Sequence, residues 1–118
     1  MTELEILTAA REKISSYERW TRRAPGRDQN GKEVGINETG WSRCVAWDAY
    51  GAVYSVAPHG AAANVDAVRR IRRIASKRIR RFAVDALVAF NDAAGTTHAD
   101  VLSLYDEAIA ECRLKEVA

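Results

Sequence analysis

The sequence predicts a mostly α-helical domain of three to four helices with a short β-hairpin around residues 43–54. Two observations predict the helices: apolar residues recur every three or four positions, and side chains able to cap a helix precede those segments. The hairpin is predicted by β-branched and aromatic residues clustered between positions 41 and 54. The 118 residues are 47% hydrophobic and 29% charged, which is typical of one globular domain spanning residues 1–118.

The first helix is expected from Glu3 to Arg19. Thr2 and Glu5 have the spacing of a capping box, in which each side chain accepts a hydrogen bond from the other residue's backbone N–H. The apolar stripe that predicts this helix consists of Leu4, Leu7, Ala10, Ile14 and Tyr17.

Residues 21–40 interrupt the helical pattern with four glycines and a proline. We expect a flexible or irregular loop there, and the alternative is a ragged hairpin that turns near Asn30 and Gly31. After this segment, Val45 and Trp47 favour one strand of the predicted hairpin, and residues 48–51 favour its turn. Three tryptophans flank the loop and are expected to anchor it to the core: Trp20, Trp41 and Trp47.

A basic amphipathic helix is expected over residues 65–82, with Asn64 as its cap. Its apolar positions fall within an arc of roughly 80° on a helical wheel. These positions are Val68, Ile71, Ala75, Ile79 and Phe82.

The C-terminal third of the chain contains an apolar segment of ambiguous secondary structure, followed by a helix. Residues 83–90 form a short apolar segment, and periodicity alone does not decide whether this segment is a helix or a buried strand. Residues 91–95 are expected to form a turn. Thr97 then caps the last helix, with Asp100 at the capping-box position.

The segment from Leu87 to Ala110 resembles the C-terminal signature of an uncharacterised family of small bacterial and phage proteins, a domain of unknown function. The resemblance rests on Phe90-Asn91-Asp92, on Gly95 and Thr97, and on residues 100–102. A weaker match covers residues 40–51. The family pattern has tryptophan, proline and arginine where this chain has Phe90, Ala94 and Thr96. The resemblance implies a compact helical fold and brings no catalytic residues with it.

The strongest functional signal is the charge pattern. The net charge is only +2, yet eight of the 18 basic residues lie between Arg69 and Arg81, a stretch without acids. Arginines on one helical face can grip phosphate oxygens or carboxylates in pairs. The predicted polyanion-binding residues are Arg69, Arg70, Arg73, Lys77, Arg80 and Arg81 of this helix and Arg22, Arg23 and Arg27 of the loop.

This pattern predicts a non-catalytic binding module whose partner is nucleic acid or an acidic protein surface. The alternative for the basic face is a solvated surface, or one paired with the acidic helices at the two ends of the chain. A membrane surface is a further anionic partner, although the apolar stripe is narrow. The alternative function is a phage-type protein that binds and inhibits a host protein complex.

A second candidate site is the pair Asn91 and Asp92, where a polar turn precedes a capped helix and exposed amides attract ligands. The alternative is that both residues only shape the turn. A small enzyme using Asp92 or Cys44 is a third hypothesis. The chain contains no recognised cofactor motif, and neither His59 nor His98 has a second ligand at metal spacing, so no cofactor or metal is expected.

The expected location is the cytoplasm, because no apolar segment is long enough to span a bilayer and the N-terminus lacks the pattern of a secretory signal. Cys44 and Cys112 are expected to be reduced thiols there, and their pairing is left open by the sequence.

Overall fold

The computed structural model describes residues 1–38, 42–57, 60–79 and 84–117. Within these ranges the strands are β1 (Gly26–Asp28), β2 (Glu33–Val34) and β3 (Cys44–Trp47). The helices in the same ranges are α1 (Glu3–Lys13), α2 (Ala49–Val56), α3 (Ala62–Arg78), α4 (Ala86–Asp92) and α5 (His98–Val117). The predicted class, mostly α with minor β, is confirmed, and the described residues form more helices than the three to four predicted.

Helix α1 begins as predicted and ends earlier than predicted. The Glu5 N–H donates to the Thr2 hydroxyl at 3.1 Å, and the Thr2 N–H donates to the Glu5 carboxylate at 2.9 Å, which completes the capping box. The helix ends at Lys13 and not at Arg19. The Ser15 hydroxyl donates to the Glu12 carbonyl in the last turn at 2.9 Å. Serine side chains compete in this way with the hydrogen bonds of the helix backbone.

The segment expected to be a loop contains a hairpin between residues 26 and 34. Strands β1 and β2 pair antiparallel, and Gly31 adopts a left-handed φ of 78° in the turn between them. The Asp28 carboxylate accepts the N–H groups of Asn30 and Lys32 at 2.9 and 3.0 Å, which stabilises that turn. The expectation of an irregular loop is therefore wrong for these residues, and the hairpin alternative is confirmed.

The hairpin predicted over residues 43–54 is wrong after its first strand. Strand β3 pairs with β1, giving the sheet order β2-β1-β3, and Asp48 caps α2 by accepting the Gly51 N–H. Gly51 lies inside this helix, where an added Cβ would stand 1.9 Å from the Pro25 carbonyl oxygen. A glycine that suggested a turn therefore allows two backbones to approach closely.

Helix α3 is shifted towards the N-terminus relative to the predicted span of 65–82. It begins at Ala62, with Ala61 rather than Asn64 at the cap, and Asn64 is buried inside its first turn. The helix ends at Arg78, with Ile79 as its C-cap. The predicted positions Arg80, Arg81 and Phe82 lie outside the described residues.

The sequence leaves helix or buried strand open for residues 83–90, and residues 86–90 of that segment are helical, in α4. Asp85 caps this helix through the N–H groups of Leu87 and Val88. Asn91 and Asp92 are its last residues, so the prediction that they belong to a turn is wrong. The capping pair Thr97–Asp100 at the start of α5 is confirmed by two mutual hydrogen bonds.

The core lies where α1, α2, α3 and α5 pack together. Trp20 and Trp47 are buried at its edge, as expected, whereas Trp41 lies outside the described residues. Cys44 and Cys112 are both buried, and no disulfide joins them. The largest side chains shielded completely from solvent include Ile6, Leu7, Ile14, Ile71, Ile74, Leu104 and Tyr105.

None of the helices described is long and apolar enough to cross a membrane.

Candidate functional site: the Arg23–Asp92 cleft

The protein's own carboxylates pair with two of the four described cations on the basic face of α3. Arg70 donates to Glu3 of α1 at 2.6 Å and to Glu111 of α5 at 3.0 Å, and Arg73 shares Glu111. Arg70 is four-fifths shielded, and the Glu3 hydrogen bond raises the pKa of its guanidinium further above its ordinary value. These two arginines, predicted to bind a polyanion, instead fasten α3 to the two acidic helices.

The flanking arginines of α3 are paired as well. Arg78 donates to Glu107 of α5 at 3.0 Å, and Arg72 lies 3.5 Å from Asp85. Arg69 and Lys77 are exposed and form no ion pair with any described residue. Of the six cations predicted for this face, four are described and two of those four are unpaired within the described ranges, while Arg80 and Arg81 lie outside the described residues.

Asn91 is the centre of the second candidate site. Its side chain is fully buried, and its oxygen accepts the Trp20 indole N–H at 2.8 Å and the Ala49 N–H at 3.0 Å. Its amide group donates to the Thr21 carbonyl at 3.1 Å and to the Asp92 carboxylate at 3.0 Å. All four contacts are internal, so Asn91 holds the Trp20–Pro25 segment against α2 and α4.

Asp92 fixes an unusual backbone conformation in that segment. Its Oδ1 accepts the N–H of Arg23 at 2.9 Å, and Arg23 has a φ of 66°, the left-handed region that non-glycine residues rarely adopt. Strained backbone of this kind persists only where the surroundings enforce it, and it is frequent at functional sites. The Arg23 side chain makes no hydrogen bond or ion pair with any described residue and is exposed.

Arg22 and Arg27 are held in different ways. The Arg22 guanidinium lies 4.8 Å from the Trp20 ring centre and donates to the Thr96 carbonyl, while its Nε is buried without a hydrogen-bond partner. The Arg27 guanidinium donates to Thr21, Gly31 and the Arg22 carbonyl, each at about 3 Å. Arg27 thus braces the hairpin, whereas Arg22 keeps an unused donor.

Two hollows have Arg23 and Asp92 in their walls, and together they form the Arg23–Asp92 cleft. The first hollow, of about 480 Å³, is also lined by Tyr17, Trp20, Arg22 and Glu18. The second, of about 330 Å³, is mainly apolar and is also lined by Pro25, Ile36, Asp48, Tyr50 and Val88. The structure therefore brings two of the three loop arginines, Arg22 and Arg23, next to Asp92, although the sequence presented the loop and the Asn91–Asp92 pair as separate signals.

Asp48 is a site residue that the sequence reasoning missed. It was predicted as a turn residue, yet it is only 4% exposed and faces the second hollow. Burial, together with the nearby Asp92 charge, raises the pKa of its carboxyl to about 7, against hydrogen bonds that lower it. Nothing in the local sequence reveals this, since the groups around Asp48 include distant residues such as Pro25, whose carbonyl accepts the Asp48 N–H at 3.1 Å.

The hypothesis of an enzyme requires Asp92 or Cys44 in an apolar cleft. Asp92 lies in the wall of the second hollow, whereas Cys44 lines neither hollow, and burial raises the pKa of its thiol. His98 contacts the Tyr17 and Trp20 rings and the Ile14 carbonyl, and His59 lies outside the described residues. In the described ranges no three His, Cys, Asp or Glu side chains lie close enough to hold a metal.

Comparison with known proteins gives a family without an assigned activity. The model of a family of unknown function, DUF6197, matches residues 1–111. Neither the curated proteins nor the solved structures yield a match. Because the family model covers almost the whole sequence, the chain belongs to the DUF6197 family.

Proposed function

We propose that this protein is a non-catalytic binding module that engages an acidic segment of a partner protein through Arg22 and Arg23. One observation carries the proposal: Arg22 and Arg23 both line the 480 Å³ hollow, and neither guanidinium has a carboxylate within 4.0 Å among the described residues. Four arginines of α3, in contrast, already have such a partner. A guanidinium group binds a carboxylate through two parallel hydrogen bonds, which gives both affinity and orientation.

The composition of this hollow supports a protein partner rather than nucleic acid. Glu18 and Asp92 lie beside the two arginines, so no continuous basic surface is available to follow a phosphate backbone. Tyr17 is 71% exposed next to Trp20. Exposed aromatic rings and arginines are the residue types enriched at protein–protein interfaces.

The test compares three fluorescently labelled probes by anisotropy at about 50 mM salt, where charge contacts are strong. The probes are a 12-residue peptide of Asp, Glu and Leu, the same peptide with Asn and Gln in place of the acids, and a 20-base DNA strand. The acidic peptide is expected to bind, and its amide counterpart is expected to bind at least tenfold more weakly.

Matched double variants then locate the binding surface. Arg22→Gln with Arg23→Gln is expected to weaken the acidic peptide tenfold or more, since each charged hydrogen bond contributes about 1.5–3 kcal/mol. Arg69→Gln with Lys77→Gln removes the same charge from α3 and is expected to change binding less than twofold. Because Arg22 also contacts Thr96, the single variant Arg23→Gln is included as one that leaves this contact intact.

Three results would overturn the proposal. In the first, the acidic peptide fails to bind. In the second, the Arg69/Lys77 double variant weakens peptide binding more than the Arg22/Arg23 double variant does. In the third, DNA binds more tightly than the peptide, and the Arg69/Lys77 double variant abolishes DNA binding. The last result would restore the nucleic-acid hypothesis that the sequence suggested.

A further inference from the structure

The second hollow has a chemistry of its own, distinct from the arginine hollow. Its walls are formed by Pro25, Ile36 and Val88, with the Tyr50 ring beside them. Two carboxylates, Asp48 and Asp92, also line it. An apolar cavity of about 330 Å³ with a few convergent polar groups is the usual form of a small-ligand site.

The Asp48 carboxylate is buried without a cation. It accepts the N–H groups of Gly51 and Tyr50, and it forms no ion pair with any described residue although only 4% of the residue is exposed. Asp92 likewise has no ion pair among the described residues, and its Oδ1 accepts only N–H groups of neutral amides. Buried carboxylates are normally paired with a cation, and of these two residues only Asp48 is buried, so its ionised form leaves a negative charge for a ligand to neutralise.

The charged groups around Asp48 come from every element that packs near it. Asp92 and Asp85 approach from α4, Arg23 from the Trp20–Pro25 segment, and Tyr105 from α5. Arg72 of α3 neutralises Asp85 at 3.5 Å, and burial raises the pKa of the Tyr105 phenol, which stays uncharged. Asp92 lies beside Arg22 and Arg23 in the first hollow, whereas Asp48 forms no ion pair with any described residue. The ionised Asp48 carboxylate is therefore the negative charge that a ligand can neutralise.

We propose that the second hollow binds an alkylammonium group, that is, a primary amine on a short aliphatic chain. The three ammonium N–H donors suit Asp48 and Asp92, and the aliphatic chain suits the walls formed by Pro25, Ile36 and Val88. The Tyr50 ring adds aromatic surface to the wall, and the Arg72 guanidinium already lies 5.7 Å from its centre. This site goes beyond the proposed function, because it recognises a cation in the second hollow, whereas the first hollow recognises carboxylates.

The first experiment measures binding of n-butylammonium and of n-butanol by NMR shifts of the Tyr50 and Val88 signals. The two probes share the aliphatic chain and differ in charge, so n-butylammonium is expected to bind at least tenfold more tightly. Asp48→Asn preserves the side-chain oxygen that caps α2 and is expected to reduce ammonium binding about tenfold. Asp66→Asn removes an exposed charge that lines neither hollow and is expected to leave binding unchanged. Equal binding of the two probes, or an unaffected Asp48→Asn protein, would overturn the proposal.

The pH dependence of the wild-type protein gives a test that needs no variant. An alkylammonium stays charged between pH 6 and 8, because its pKa lies near that of lysine, about 10.4. Asp48 loses its proton as the pH rises through about 7, so ammonium affinity should rise several-fold from pH 6 to 8 while butanol affinity stays constant. If Asp48→Asn fails to fold, this series decides the question, and parallel curves for the two probes contradict the site.

Arg23→Gln separates this proposal from the proposed function. Removing the guanidinium takes a like charge away from the ammonium site, so n-butylammonium should bind about threefold more tightly. The same change removes a donor for carboxylates, so the acidic peptide should bind more weakly. A loss of peptide binding without a gain for the amine refutes only the ammonium site, and the reverse result refutes only the peptide proposal.

Discussion

Helix α3 and the Trp20–Pro25 segment both carry arginines, yet the fold uses them in opposite ways. On α3, Arg70 and Arg73 bind the carboxylates of α1 and α5, so that dense positive charge becomes part of the scaffold. In the segment, Arg22 and Arg23 have no carboxylate partner among the described residues and line a cleft. The difference teaches that the number of charges in a sequence does not measure how many are available to a ligand.

The largest effect is expected where the cleft is held together, at Asn91. Asn91→Ala leaves two buried donors and two acceptors without their partner, and each unsatisfied buried group costs about 1–3 kcal/mol. We expect the free energy of unfolding, measured by urea denaturation, to fall by about 3–5 kcal/mol. Asn30→Ala, at an exposed turn position, should change it by no more than about 0.5 kcal/mol. Similar values for the two variants would show that Asn91 does not organise the cleft.

Gly51 tests whether the cleft depends on close backbone contact. A methyl group at this position would collide with the Pro25 carbonyl, so Gly51→Ala should destabilise the protein by about 1–3 kcal/mol, although alanine is the better helix former. At Gly95 an added Cβ meets nothing within 4 Å, and Gly95→Ala should be close to neutral. Thermal unfolding of both variants measures the difference, and a stabilised Gly51→Ala protein would contradict the packing described.

On α3 the comparison is sharpened by neighbouring arginines with different surroundings. Arg70→Gln removes three hydrogen bonds to carboxylates and should cost about 1–3 kcal/mol, whereas Arg69→Gln should lie within about 0.5 kcal/mol of the wild type. Urea denaturation at pH 7 measures both. Equal effects would mean that the ion pairs of α3 are not part of the scaffold.

The pH dependence of the Arg70 effect has a defined sign. Burial raises the pKa of Glu3, but the hydrogen bond and charge of Arg70 lower it more, so the folded value lies below the ordinary 4.5. The stabilisation is therefore present above pH 4.5 and lost as the pH falls through the lowered folded pKa. Wild type and Arg70→Gln should converge in stability at acidic pH, and a gap that widens on acidification would contradict this ion pair.

The smallest effect is expected at Arg23, where binding and stability should separate. Glycine adopts a positive φ without strain, which offsets its greater loss of chain entropy, so Arg23→Gly should change the free energy of unfolding by less than about 1 kcal/mol. The same variant lacks the guanidinium and should bind the acidic peptide more weakly. A large destabilisation, seen by thermal unfolding, would place Arg23 in the scaffold with Arg70.

The predicted capping boxes were confirmed because their signals are local. Thr2 with Glu5, and Thr97 with Asp100, each lie within one helical turn, so the spacing alone brings the partners together. The prediction of a turn at Asp48–Gly51 was wrong because the residue types that cap helices, such as aspartate, are also the types that form turns. Only the packing of Pro25 against α2 decides between them.

The sequence by itself determined the mostly helical class, two helix starts, and the amphipathic pattern that places Val68, Ile71 and Ala75 in the core. These features depend on neighbours within a few residues. Tertiary structure alone decided that Glu3 and Glu111 neutralise Arg70, that Asn91 binds Trp20, and that Asp48 is buried beside Asp92. Each of these pairings joins positions 41 or more residues apart in the chain. The sequence shows that a charged or hydrogen-bonding group is present, but only folding determines which distant group becomes its partner.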